Sequence, residues 1–273
     1  MSFNRFLSSV FLIALAACAV VFQWGTFLVV IVLTIGGLYE FFSMIKKKGI
    51  PIYSYTGILI GVMIPISVFF HFELNHNWEF LFTVLAFLLI LILQFVRKDN
   101  TNAIVGISTT MFGVFYVAWL LSFLIKIKFL LPGWEGVRLV AFILLVTKSG
   151  DIGALLTGSW IGKHPLFPRI SPNKSIEGGI GSLVFSMATA VLCRNFLPPQ
   201  LDFSVWQVVL MGAFFGSIGQ LGDLSESLVK RDCNIKDSGR FLPGVGGVLD
   251  IIDSLLFSGP AFYLFMSAML NLG

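Results

Sequence analysis

Apolar runs of about 20 residues, long enough to cross the hydrocarbon core of a bilayer, succeed one another along almost the whole chain. Nine can be drawn: Arg5–Phe22, Gly25–Ile45, Ile52–His71, Glu79–Val96, Ala103–Ile125, Gly136–Gly158, Gly178–Phe196, Val205–Lys230 and Val248–Leu272. Their ends are fixed to within about 2–4 residues. They predict an all-α, polytopic integral membrane protein with about nine transmembrane helices. Charged residues make up 12% of the 273 positions, against about 25% in a typical soluble domain. That leaves no room for a sizeable soluble domain. Arg5 followed by Phe6 to Phe22 has the look of a signal peptide, but a second long run follows at once without a good cleavage signal, so the segment is read as a retained first helix. The short connection around Gln23 and Trp24 predicts a tight helical hairpin.

Charge is distributed unevenly between the connections. If nine helices cross, the N-terminus and the even-numbered connections share one side. Arg5, Lys46, Lys47, Lys48, Arg97, Lys98, Lys163, Arg169, Lys174, Lys230, Arg231, Lys236 and Arg240 fall there, while Lys126, Lys128, Arg138 and Arg194 fall on the other. Basic residues accumulate on cytoplasmic loops. The chain is therefore expected in the cell (inner, cytoplasmic) membrane with its N-terminus in the cytoplasm and its C-terminus outside. Its two longest polar connections, Ser159–Glu177 and Arg231–Gly247, then face the cytosol. Nucleic acid is not an expected partner, because the aromatics sit in lipid-length runs and not on a basic face. Cys18, Cys193 and Cys233 have no metal-type or redox spacing and read as packing residues.

Six acids fall within or at the edges of the runs: Glu40, Asp151, Asp223, Glu226, Asp250 and Asp253. A carboxylate at the centre of an inserted helix costs about 2.5–3.5 kcal/mol on insertion scales. Most of the six must therefore face protein, water or a cation. Three pairs are spaced i, i+3, which puts each on one helix face. Lys148 with Asp151 can be a buried ion pair as readily as a functional one. Asp223 with Glu226, and Asp250 with Asp253, offer four acids with Lys230 as the obvious in-helix partner. Surplus negative charge of hard oxygen type invites a divalent ion such as Mg²⁺ or Mn²⁺. Glu40 stands alone and reads as a packing or interfacial acid.

The polar connections supply complementary groups. Lys230, Arg231, Lys236 and Arg240 precede the turn Leu242-Pro243-Gly244-Val245-Gly246-Gly247, which opens the last helix. Glycines let backbone N–H groups approach an anion, and a helix N-terminus favours negative charge. The other connection carries Gly162-Lys163-His164 and Ser171-Pro172-Asn173-Lys174-Ser175-Ile176-Glu177. It is not a Walker A loop, since the spacing is short and His164 stands where Ser or Thr belongs. A lone His in a basic loop is more often solvated than catalytic, and His71 and His76 read as interfacial.

Together these residues resemble a known family. Gly219-Gln220-Leu221-Gly222-Asp223-Leu224-Ser225-Glu226-Ser227-Leu228-Val229-Lys230-Arg231, Lys236-Asp237, Leu242-Pro243-Gly244, Gly246-Gly247, Asp250 and Asp253 are similar to the C-terminal signature of the phosphatidate cytidylyltransferases, or CDP-diacylglycerol synthases. Ser171-Pro172, Lys174 and Glu177-Gly178, with Asp151, Ala154, Gly158 and Gly162-Lys163 upstream, resemble a second conserved region. The likeness covers about the last 125 residues. Residues 1–135 match in hydropathy and Glu40 only, so the single transmembrane domain of residues 1–273 is expected to keep its catalytic part in 136–273. Four positions depart from the pattern: Val245 for His, Ile251 for Arg, Asn173 for Lys and Ser175 for Thr.

The resemblance implies that CTP and phosphatidate give CDP-diacylglycerol and pyrophosphate. It implies a catalytic set of Asp223, Asp250, Lys230, Glu226 and Asp253, with Asp223 and Asp250 as ligands of Mg²⁺ or Mn²⁺. Lys174, Ser171, Arg231, Lys236, Asp237, Gly246, Gly247 and Asp151 would bind substrate. A second, monovalent cation such as K⁺ and a homodimer are implied too, with membrane lipid as the surroundings. Three other readings fit the sequence. They are an ion or solute transporter using intramembrane carboxylates, a different lipid-phosphate enzyme, and a degenerate family member with altered substrate or kept for a structural or binding role. No Asp-Gly…Ala-Arg signature of the CDP-alcohol phosphotransferases is present, and the crowding of acids into one half is unlike a transporter of repeated halves.

Topology is testable directly. In a background without native cysteines, single cysteines beside Lys163 and Lys126 are expected to label from opposite sides of the membrane. Labelling of both from one side would contradict the nine-span arrangement.

Overall fold

The computed structural model of the chain describes residues 22–70, 78–97, 100–235, 238–239 and 246–270. Helices dominate: α1 (Gln23–Lys47), α2 (Ser54–Phe69), α3 (Trp78–Val96), α4 (Ala103–Gly113), α5 (Leu120–Phe129), α6 (Trp134–Ile161), α7 (Ile176–Leu192), α8 (Val205–Asp232) and α9 (Val248–Met269). Between α4 and α5 the helix continues as a π-helical stretch, Val114–Trp119. Among the described residues, five helical segments are long and apolar enough to cross a membrane: Trp24–Lys47, Ala103–Phe129, Trp134–Ile161, Val205–Asp232 and Val248–Met269. Three shorter apolar helices cover Ser54–Phe69, Leu81–Val96 and Ile176–Leu192. The expected spans from Gly25 onwards each coincide with one of these to within a few residues. The span Arg5–Phe22 lies, apart from Phe22, outside the described residues, and so does the first arm of the expected hairpin. Gln23 and Trp24 belong to the first turn of α1.

The chain divides into two compact units. One comprises residues up to Lys126 together with Cys233–Ile251, the other Ile127–Asp232 together with the residues from Ile252 on.

In the first unit α1 and α2 run antiparallel, so the rings of Trp24 and Phe27 meet Phe69 at 4.8 Å and 4.2 Å. Their connection turns at Gly49, whose φ of +81° few side chains tolerate. The core is built on α1, where Leu38, Phe41, Phe42 and Met44 are almost wholly buried. Gly57 of α2 and Gly113 of α4 face the Phe42 and Phe41 rings so closely that an added Cβ would lie 2.5 Å and 2.7 Å from them. In lipid, helices gain little from hydrophobic burial against each other, so close approach at small residues carries the association.

The second unit packs α6, α7, α8 and the part of α9 from Ile252 on by the same principle. Ser186 of α7 donates to the Val146 carbonyl of α6 at 3.0 Å. Gly150 of α6 and Gly216 of α8 leave the space its hydroxyl needs. Phe262 of α9 stacks on Phe142 of α6 at 5.7 Å and meets Phe215 of α8 edge-on at 5.2 Å. Lower on the same helices, an added Cβ at Gly222 of α8 would overlap the carbonyl oxygen of Asp253.

Among the described residues, one element breaks the all-helical pattern. The polar connection after α6 forms an antiparallel hairpin, β1 (Pro165–Phe167) and β2 (Ser171–Ser175), with Pro165 opposite Ser175 and Phe167 opposite Ser171. Ser175 ends the hairpin and starts α7. Its extended backbone and its Oγ, which accepts from the Gly178 N–H at 3.1 Å, make it the N-cap.

The close α8–α9 approach yields a prediction. Gly222→Ala is expected to lower stability by about 1–3 kcal/mol through overpacking. Gly158→Ala, whose Cβ would meet the Ser175 hydroxyl at 3.3 Å and the Gly178 Cα at 3.6 Å, is expected to change it little. Thermal unfolding of the detergent-purified proteins reads the difference, and equal midpoints would contradict the packing.

Candidate active site

In the second unit the helices bring carboxylates and ammonium groups from four segments together. Lys148 and Asp151 are one turn apart on α6 and pair at 2.8 Å. Ser254 of α9 joins them, accepting from Lys148 Nζ at 2.8 Å and donating to Asp151 Oδ2 at 2.9 Å. Asp253, beside it, is buried and accepts from the Ser254 N–H. On α8, Asp223 faces Lys174 of β2, with 2.5 Å between oxygen and nitrogen. One turn further, Glu226 and Lys230 form an ion pair, the carboxylate 1% and the lysine side chain 12% exposed.

The charge balance therefore differs from the one spacing suggested. Lys174 arrives from the hairpin, a partner no helical periodicity could reveal. Lys148 also interacts electrostatically with Asp253 and Asp223 besides Asp151. The carboxylates of Asp151, Asp223, Glu226 and Asp253 are thus set against the ammonium groups of Lys148, Lys174 and Lys230.

A cavity of about 340 Å³ opens at the polar end of this cluster. Asp151, Asp223, Lys174 and Gln220 line it, with Gly178 and Gly179 at the start of α7. The side-chain amide of Gln220 donates to the Gly179 carbonyl at 3.2 Å, which ties α8 to the start of α7. The hairpin wall is held from outside the cavity. Glu177 accepts from the N–H groups of Lys163 at 3.1 Å and His164 at 3.3 Å, and its other oxygen lies 2.7 Å from His164 Nδ1. Glu177 precedes the apolar run that begins at Gly178. The His164 hydrogen bond, with the backbone donors, holds its carboxyl down at about 2, from an ordinary 4.5. A depressed carboxyl stabilises the fold above its unfolded pKa, so this contribution is present above about pH 4.5 and is lost as pH falls through about 2.

The remaining expected substrate ligands in this unit have other company. Ser171 is buried at the start of β2. Arg231 donates from Nε to the Ile170 carbonyl at 3.1 Å, bracing the hairpin turn.

The first unit contains a second acidic group. Asp250 lies in the first turn of α9, and its Oδ2 accepts from the Gly247 N–H at 2.7 Å and from the Ser238 hydroxyl at 2.8 Å. Glu40 of α1 accepts from the same hydroxyl at 3.1 Å and from the Leu249 N–H at 3.0 Å. Glu40, read from sequence as a packing or interfacial acid, is 8% exposed and serves a helix terminus. Gly246 has φ +107°, and its Cα lies against the Asp250 carboxylate. Sequence periodicity gave no signal for Ser238. Lys236 and Asp237 lie outside the described residues.

Fold and site define a membrane-embedded protein whose polar cavity pairs carboxylates with lysines. Comparison with known proteins narrows the class. The model of the cytidylyltransferase family matches residues 3–269. The chain is 31% identical to the phosphatidate cytidylyltransferase of Synechocystis over 98% of its own length and 97% of that protein's. It is 34% identical to that of Staphylococcus saprophyticus over 80% of both chains, and 32% identical to that of Bacillus subtilis over 84% of both. The chain belongs to the cytidylyltransferase family.

The Glu226–Lys230 pair makes a separable prediction. Lys230→Met strands a buried carboxylate and is expected to cost about 3–5 kcal/mol. Adding Glu226→Gln removes the stranded charge and is expected to restore most of the loss, as chemical denaturation of the two variants would show. No recovery in the double variant would mean that Lys230 does not serve chiefly as the partner of Glu226.

Proposed function

We propose that the protein is a phosphatidate cytidylyltransferase, making CDP-diacylglycerol and pyrophosphate from CTP and phosphatidate. The reading rests on family membership. The observation that carries it to particular atoms is the cavity with Lys174 against Asp223. Such a reaction needs no activated side-chain nucleophile. An oxygen of the lipid phosphate attacks the α-phosphorus of CTP, the bond to the bridging oxygen of the β-phosphate breaks, and pyrophosphate leaves with that oxygen. The protein's tasks are alignment and charge neutralisation.

Lys174 meets the triphosphate, exchanging a carboxylate oxygen for a phosphate oxygen. Gly178 and Gly179 let the start of α7 pack close against Ala154 of α6 and Gln220 of α8, so that its first turn lines the cavity in which phosphate would sit. Lys148 holds Asp151 and Ser254 in place beneath. Arg231 keeps the hairpin turn, and with it Lys174, over the cavity. Lys230 acts on Glu226 first and on phosphate only through its long-range field.

Among the described residues no three acid, histidine or cysteine side chains converge, but the cavity presents the Asp151 and Asp223 carboxylates, hard oxygen donors of the kind a divalent cation takes. Asp223 would ligate Mg²⁺ or Mn²⁺, with Asp151 beside it. When bound, such an ion polarises phosphoryl oxygens and steadies the departing pyrophosphate. Asp250 is proposed as a ligand on its match to the family signature alone. A second, monovalent cation and a homodimer rest on that signature as well. The basic connections argue for a cytosolic site, where CTP is supplied.

Purified protein given CTP, phosphatidate and Mg²⁺ is expected to form CDP-diacylglycerol. Asp223→Asn is expected to abolish the product while the protein stays monodisperse, because Asn keeps the shape and removes the charge. Asp250→Asn is expected to do the same. Near-normal turnover in both variants at saturating CTP would contradict the assignment.

A further inference from the structure

The helix that carries Asp250 is preceded by a residue that has no side chain to cap it. Gly247 stands immediately before Val248, the first residue of α9, and glycine offers no oxygen to the orphan N–H groups of a first turn. Two carboxylates do this work, one on the helix itself and one on α1. Asp250 reaches back to the Gly247 N–H at 2.7 Å, the returning half of a capping box. Glu40 supplies the other half from α1, accepting from the Leu249 N–H at 3.0 Å.

Four features show that the place is built for the Glu40 carboxylate. Gly36, one turn earlier on α1, lets Val248 pack against that face, with an added Cβ only 2.9 Å from a Val248 methyl. The Cα atoms of Gly239 and Gly247 both lie against the Glu40 oxygens, where any side chain would collide. Ser238 holds its hydroxyl within hydrogen-bond distance of Glu40 at 3.1 Å and Asp250 at 2.8 Å, so one O–H joins the two carboxylates. Among the described residues, the partners of Glu40 are this hydroxyl and the N–H of Leu249.

We propose that Glu40 is a positioning residue for the reaction, fixing the first turn of α9 and so the direction of the Asp250 carboxylate. The role rests on the cytidylyltransferase reading for its catalytic consequence. It needs an acceptor oxygen at the right reach and not a negative charge. Glutamine has that reach. Aspartate keeps the charge but falls one methylene short.

The test uses the full-length protein in detergent with Glu40→Gln, Glu40→Asp and Glu40→Ala. It reads kcat, KM for CTP and the Mg²⁺ concentration for half-maximal rate. It also reads amide hydrogen exchange over residues 246–253 without nucleotide. Glu40→Gln is expected to keep kcat within about threefold and exchange as the parent does. Glu40→Asp and Glu40→Ala are expected to lower kcat about tenfold or more, because small misplacements are costly at a reacting centre. KM for CTP should stay nearly constant, the Mg²⁺ requirement should rise, and exchange at 247–250 should quicken. Parent-like kcat and exchange in Glu40→Ala would overturn the proposal. So would retention by Asp with loss by Gln, which would mean that charge and not reach matters. Should Glu40→Ala not stay monodisperse, the Gln and Asp variants decide. A parent that forms no CDP-diacylglycerol would sink the functional reading, while the exchange pattern would still decide whether Glu40 holds α9.

Discussion

A carboxylate set into an apolar chain has to be met by something, and that requirement organises this structure. Outside lipid an unpaired acid costs little; inside, it costs enough that a fold of ordinary net stability cannot hold several. Each acid here is met differently. Asp151 takes a lysine on its own helix and a serine from α9. Asp223 takes a lysine delivered by a hairpin. Glu226 takes one from the next turn. Glu40 takes no side-chain cation among the described residues and is used on the backbone of a helix start. The polar framework and the candidate chemistry are thus the same set of atoms.

Such partnerships demand close helices, and glycine makes them close. Gly219 and Gly222 on α8 bring its backbone against Ser254 and Asp253, so acids on two helices share one neighbourhood. Gly36 does the same for α1 and Val248. In the family signature the same residues that read as a motif are, physically, the spaces into which carboxylates fit. Gly247 is the clearest instance. A side chain there would displace Glu40, and the helix start would lose its acceptor.

Much of the fold was legible in the sequence, because lipid-length apolar runs leave little choice of element. The ends of α6, α8 and α9 fell within a few residues of expectation. Spacing also identified Lys148 with Asp151 and put Lys230 on the same helix face as Asp223 and Glu226, since these are relations within a single helix. Contacts between segments were not legible. Lys174 comes from a β-hairpin in a stretch read as a polar loop, too short and too polar to show a strand period. The π-helical turn at Val114–Trp119 leaves hydropathy unchanged and so gives no signal. Glu40 looked solitary because its partners lie some 200 positions away in sequence, as the Ser238 and Leu249 contacts show. The reaction itself came from resemblance and was carried by the family match, since cavity and charges alone would suit other phosphate chemistry.

The most direct measurement follows the phosphorus atoms. With CTP labelled at the α-phosphate, attack by the lipid phosphate at that atom puts the label into the organic-extractable lipid. With CTP labelled at the γ-phosphate, the label stays in aqueous pyrophosphate. The account predicts both results, in equal molar amounts and dependent on added phosphatidate. Label from the γ-position in lipid, or none from the α-position, would contradict cytidylyl transfer as the chemistry of this site.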